Sequence, residues 1–183
     1  MNSTLIKLYN NPNRFHHNLK HILDCLNEFN LVKELTENPK ALKNAIWYHD
    51  AIYDTHAKDN EEQSAKLAYN FCIEKNQSIK FANRVSNLIL ATKHSVLPKN
   101  IDEKIIVDID LSILGKSPEE FAEYEKNIRK EYSWVFEQEF KQGRKTILES
   151  FLKRPSIYST EQFQNKYETQ AQENLKQSII RLN

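Results

Sequence analysis

Asn100-Ile101-Asp102-Glu103-Lys104-Ile105-Ile106-Val107-Asp108-Ile109-Asp110-Leu111-Ser112-Ile113-Leu114-Gly115 is the stretch on which the fold class turns. The alternation within Ile105–Ile109 has the period of a half-buried strand. The ends of the stretch point the other way. Asn100 to Glu103 has the form of a capping box, and Gly115 stands where a helix stops. Read with its ends, the stretch is a helix, and no other segment then asks for a strand. The totals agree, since 2 Gly and 5 Pro in 183 residues leave few turn residues for a sheet-rich fold. The expected fold is an all-α, single-domain helical bundle over residues 1–183.

The same signals order the rest of the chain. A helix is expected over about Asn13–Phe29, and a short one over Leu31–Glu37. Asn38-Pro39 reads as a cap with Pro at the first helical position. The helix it opens carries Trp47-Tyr48-His49-Asp50-Ala51-Ile52-Tyr53-Asp54 toward its end. Further helices are expected after Asp59 or Asn60, over Ser78–His94, from Ser117-Pro118-Glu119-Glu120 to about Leu152 with a break near Tyr132–Ser133, and from Thr160 onward. Gly143 weakens the long one locally. Trp134, Phe136 and Phe140 read as core.

Charge and hydropathy exclude several classes. The net charge is +1 and no basic stripe stands out, so nucleic acid and anionic membranes are not expected partners. No run is long enough to span a bilayer. Met1 to Asn10 show no apolar core or small-residue cleavage site of a secretory signal. Cys25 and Cys72 form no CxxC pair and read as buried thiols of a cytoplasmic protein.

Candidate metal ligands gather in the first two thirds of the chain. His49 and Asp50 stand side by side in an apolar run, where an unpaired carboxylate would cost several kcal/mol. A cation offsets that cost, and imidazole nitrogen and carboxylate oxygen are both good donors for one. His17 and His21 are spaced to share a helical face, with His16 pointing away as a surface residue. Asp108 and Asp110 lie about 200° apart on a helix, so one of them at most faces a given ion.

The order of these residues resembles the HD superfamily of metal-dependent phosphohydrolases. Arg14-Phe15-His16-His17-Asn18 looks like that family's opening motif, His49-Asp50 like its name-giving doublet, and Asp110 like its distal aspartate. The flanking segments Asp59–Ala65, Ala91–His94 and Phe140–Arg144 are similar to a small subgroup of unassigned substrate. The resemblance implies one divalent metal (Mn, Fe, Co, Ni, Zn or Mg) held by His17, His49, Asp50 and Asp110. It implies a hydrolase acting on a small phosphorylated substrate such as a nucleotide. Glu61, His21 and His94 are the candidates for acid–base work, and Lys93 and Arg144 for holding phosphate. The other reading is a non-catalytic HD-fold module that binds metal or nucleotide. A di-iron carboxylate bundle needs Glu-x-x-His motifs, and the chain contains none.

Overall fold

The computed structural model describes residues 3–183, in which every regular element is a helix. In chain order these are α1 (Ser3–Tyr9), α2 (Leu19–Val32), α3 (Pro39–Tyr48), α4 (Asn60–Glu74), α5 (Ile79–Ala91), α6 (Ile101–Asp110), α7 (Pro118–Glu131), α8 (Glu137–Leu152) and α9 (Glu161–Leu182). Tighter 3₁₀ turns cover Lys33–Leu35 and Leu111–Gly115. Among the described residues, no helix is long and apolar enough to cross a membrane. Met1 and Asn2, the first two residues of the stretch scanned for a secretory signal, lie outside the described residues.

Side-chain caps at starts read from the sequence account for α3, α5, α6 and α7, whereas Asp59 and Thr160, expected to cap α4 and α9, make no side-chain cap bond. Asn38 Oδ1 accepts the Ala41 N–H, and Ser78 Oγ accepts the Phe81 N–H. Ser117 and Glu120 close a reciprocal capping box. Asn100 Oδ1 accepts the Glu103 N–H, while the Glu103 carboxylate accepts from the Asn100 amide and the Lys99 N–H. The helical reading of the decisive stretch therefore stands. It departs in one respect, because after Asp110 the last turn tightens to 3₁₀.

The first expected helix is a larger correction. Asn18, not Asn13, is its cap, and the Asn18 side chain accepts from the Lys20 and His21 N–H groups. His16 and His17 therefore lie in the loop before α2 and do not share a helical face with His21. Apolar spacing through Leu19 and Ile22 hid a start that only the Asn side chain marks. A second correction concerns Trp134 and Phe136, which are exposed, and Phe140, which is half-buried, so none of the three is core. Trp134 and Phe136 sit in the turn between α7 and α8. That turn is tied by the Arg129 guanidinium, which donates to the carbonyls of Tyr132 and Val135.

The chain groups into two compact units, Met1–Asp110 and Leu111–Asn183. In the first, α3 packs against α2, α4, α5 and α6 around Ile22, Leu42, Ile46, Ile89, Ile105 and Ile109. The buried Asp102 carboxylate accepts the Glu37 and Asn38 N–H groups at 2.8 and 3.1 Å. It thus ties the start of α6 to the start of α3. Each of these helices has 10 residues, a rise of about 15 Å, so their far ends are brought level as well. Those far ends carry His49 and Asp110.

In the second unit the 3₁₀ turn packs against α9. Asn174 Nδ2 donates to the Leu114 and Lys116 carbonyls, and Tyr158 Oη donates to the Leu111 carbonyl. These bonds satisfy acceptors that a helix end leaves open. Gly115 permits the close approach. A Cβ there would lie 2.5 Å from Tyr167 Cβ and 2.7 Å from the Tyr167 carbonyl oxygen. Gly115→Ala is expected to destabilise the fold by about 1–3 kcal/mol, as overpacking does. A lowered midpoint in urea checks this, and an unchanged midpoint would show that α9 can move aside.

Candidate metal centre

Four donor atoms converge where α3 and α6 end and α2 begins. His49 Nε2 lies 3.0 Å from Asp50 Oδ2, 3.4 Å from Asp110 Oδ1 and 3.2 Å from His21 Nε2. His21 Nε2 lies 3.2 Å from Asp110 Oδ1 and 3.5 Å from Asp50 Oδ2. His94 Nε2 meets the other oxygen of Asp110, Oδ2, at 3.2 Å. Each position has a local cause. His21 is in the first turn of α2, directly after its Asn18 cap. His49 is the residue on which α3 ends. Asp110 is the last residue of α6. His94 follows α5 in a left-handed backbone conformation, φ 56°, which turns the chain back after Ala91.

The tautomer of His49 decides what this arrangement needs. His49 Nδ1 is 2.9 Å from the Ile46 carbonyl oxygen, an atom that can only accept, so Nδ1 carries a hydrogen and donates it. In the neutral ring Nε2 then holds a lone pair, aimed at two carboxylate oxygens. Lone pair against lone pair is repulsive in a buried site unless a proton or a cation stands between. A proton makes His49 an imidazolium. Burial works against that charge, but Asp50 and Asp110 outweigh it and hold the His49 pKa well above its usual range. Burial likewise favours neutral Asp50 and Asp110, and the facing histidines reverse this, holding both well below the carboxylate range.

The donor set also fits a metal ion. Ligands about 2.0–2.1 Å from one ion stand about 2.9–3.4 Å from each other, at angles between square and tetrahedral. The separations of 3.0–3.5 Å within the cage are of that size. The C-terminal ends of α3, α5 and α6 supply His49-Asp50, His94 and Asp110, and helix C-termini carry partial negative charge that favours a cation. Two carboxylates and two neutral imidazoles balance a 2+ charge.

Models of known protein families, curated proteins and solved structures were all compared with the chain, and none matches.

The remaining candidates fall in different places. His17 stacks on Tyr53, ring centroids 4.0 Å apart, and its charge helps keep Asp50 ionised. His16, read as a surface residue, is only partly exposed, with its ring 4.7 Å from that of His21. Burial and the neighbouring histidines push its pKa well down. Glu61 is partly exposed in the first turn of α4, where an acid complements the helix N-terminus. Lys93 is bound to the Glu62 carboxylate and to the Lys58 carbonyl, so it bridges α5 to the start of α4. Arg144 is buried in the second unit against the Glu125 carboxylate and over the Tyr124 ring.

Cys25, read from the sequence as a buried thiol and not as a metal donor, is buried as expected. With His21, His49 and Asp110 it forms a group whose donor atoms lie within 4.8 Å of one another, a set that can hold a metal ion. Its i,i+4 spacing from His21 was the available signal. Sγ lies 3.7 Å from Nε2 and 3.8 Å from Nδ1 of His21, nearly equidistant. The thiol therefore stands beside the ring and not along the Nε2 lone pair. Burial also pushes its pKa well up, which keeps it a neutral thiol. Asp50, 3.0 Å from His49 Nε2, is the better-placed donor.

Proposed function

We propose that this chain is a metal-dependent phosphohydrolase of the HD type, acting on a small phosphate ester. The observation that carries the reading is the locked tautomer of His49, which aims a lone pair at the Asp50 and Asp110 oxygens and leaves a place for a cation. His49, Asp50 and Asp110 would hold the ion. His21 faces the same point with its Nε2, and His17 lies beside Asp50 as the rival for the remaining imidazole position. A divalent ion there supplies Lewis-acid polarisation of a phosphoryl oxygen and activation of water.

The chain's own residues account for the rest of the chemistry. The Ile46 carbonyl keeps the hydrogen of His49 on Nδ1, so Nε2 stays a donor to metal. Asp110 uses both oxygens, Oδ1 toward the cage and Oδ2 toward His94. That contact orients the partly exposed His94 imidazole at the rim, where it would bind a phosphoryl oxygen or give a proton to the leaving group. Lys93 would reach substrate only by leaving Glu62, so it ranks behind His94 as a phosphate contact. Arg144 is already occupied by Glu125. The resemblance to the HD superfamily, carried by His17, His49-Asp50 and Asp110 in order, supports the same reaction class.

The test is metal analysis with a panel of phosphate esters and nucleotides, run with Mn, Fe, Co, Ni, Zn and Mg in turn. Wild-type protein is expected to retain one equivalent and to hydrolyse at least one substrate class. His21→Ala is expected to lose more metal than His17→Ala if the cage geometry selects the ligand. Less than about a tenth of an equivalent of any transition metal after supplementation would sink the proposal, because structural affinity of this kind survives purification. Full metal retention without turnover would favour the binding module instead.

A further inference from the structure

We propose that Arg14 is a positioning residue of this centre, one that presets the two chain segments from which its ligands come. The inference rests on the metal reading above. Arg14 is 9% exposed, and its guanidinium donates to three backbone carbonyls. Nη1 reaches the Asp50 carbonyl oxygen at 2.6 Å and that of His17 at 3.2 Å, and Nη2 reaches that of Ala51 at 2.9 Å. A planar fork can serve carbonyls from two separate segments at once, which the point charge of a Lys cannot do with the same geometry.

Two of those carbonyls belong to the turn that leaves α3, where the Asp50 side chain enters the cage. The third belongs to His17, in the loop that leads into α2 and His21. Aromatic rings extend the grip. The guanidinium carbon lies 5.3 Å from the Tyr9 ring centroid and 5.6 Å from that of Tyr53. Tyr53 stacks in turn on the His17 ring, and Tyr9 Oη donates to the Trp47 carbonyl within α3. Arg14 thus links the loop before α2 to the end of α3. Residues that orient ligands in this way typically hold 10–100-fold in metal affinity.

The experiment compares the dissociation constants of Zn2+ and Mn2+, by chelator competition, for wild type, Arg14→Lys and a stability control, Val85→Ala. Val85 is fully buried in α5, so its truncation lowers stability without touching the site. Thermal unfolding of each metal-free variant is measured alongside. The expected result is affinity about 10–100-fold weaker in Arg14→Lys and within about threefold of wild type in Val85→Ala. Equal affinity in Arg14→Lys and wild type, or equal loss in both variants, overturns the proposal. Arg14→Ala with added methylguanidinium provides a second measurement if the Lys variant folds poorly. Metal retention should return with the added cation, and its failure to return also counts against the role. A wild-type protein that binds neither ion is a separate result, and it removes the metal reading rather than the role of Arg14 within it.

Discussion

Asp110→Asn is expected to abolish metal retention while leaving the helices in place. Asp110 Oδ1 faces His21 and His49, and Oδ2 faces His94, so one carboxylate serves three imidazoles. The amide has nearly the same shape but no charge, and one of its two ends is a hydrogen-bond donor. Whichever way it turns, either the cage or His94 loses an acceptor. The cage then offers a 2+ ion one negative charge instead of two. Loss of a direct donor should exceed the 10–100-fold typical of residues that only orient ligands, so a drop in affinity of more than about 100-fold is expected. Circular dichroism should change little, because Asp110 is the last residue of α6 and the capping bonds at Asn100 and Glu103 are untouched. A variant that keeps a full equivalent of metal would show that the centre lies elsewhere.

The second large effect is on pH dependence, whose alkaline decline metal should remove. In metal-free protein His49 has a raised pKa, so its contribution to stability is fully present below the unfolded value of about 6.5 and is lost as pH rises through the folded value. Asp50 and Asp110 have lowered pKa values. Their contribution is present above about pH 4 and is lost as pH falls through the folded values. Stability without metal should therefore peak between about pH 4 and 6.5 and fall on the alkaline side, by at most about 1.4 kcal/mol per pH unit for one proton. An ion needs neutral imidazoles, so its binding releases protons and its stabilisation grows over the same alkaline range. Thermal unfolding from pH 5 to 9, with chelator and with saturating Zn2+ or Mn2+, checks this. Above about pH 6.5 the chelator profile should fall and the metal-loaded profile should stay level, because neither the metal-bound imidazoles nor the unfolded histidines then hold a proton. Parallel profiles would mean that the His49–Asp50–Asp110 cluster holds a proton and nothing more.

Legibility from the sequence varied from element to element, for physical reasons. Local chemistry marks the starts of four helices, α3, α5, α6 and α7. Asn38-Pro39, Ser78, Asn100 with Glu103, and Ser117 with Glu120 each place a side-chain acceptor next to an orphan N–H, and each starts a helix where expected. The start of α2 was misplaced because apolar spacing runs past Asn18 without a break. The exposure of Trp134 and Phe136 was hidden because an aromatic pair at a helix start looks the same whether the turn faces in or out.

The site divides along the same line. Residue types alone point to His49, Asp50 and one of Asp108 and Asp110 as candidate donors, since donor chemistry belongs to the side chain, and the choice of Asp110 rests on the resemblance to the HD superfamily. Which atoms meet is a matter of tertiary structure. Asp102 bridges the starts of two 10-residue helices and brings their ends level. The carbonyl of Ile46, three residues earlier in the chain, sets the His49 tautomer. Arg144 and Lys93 looked like free phosphate contacts in the sequence, and the fold gave each a carboxylate. The all-helical class and the donor types were thus determined by residues acting on their near neighbours. The convergence of His21, His49, Asp50 and Asp110 was decided by packing, because their separation along the chain is bridged only when α2, α3 and α6 share one core.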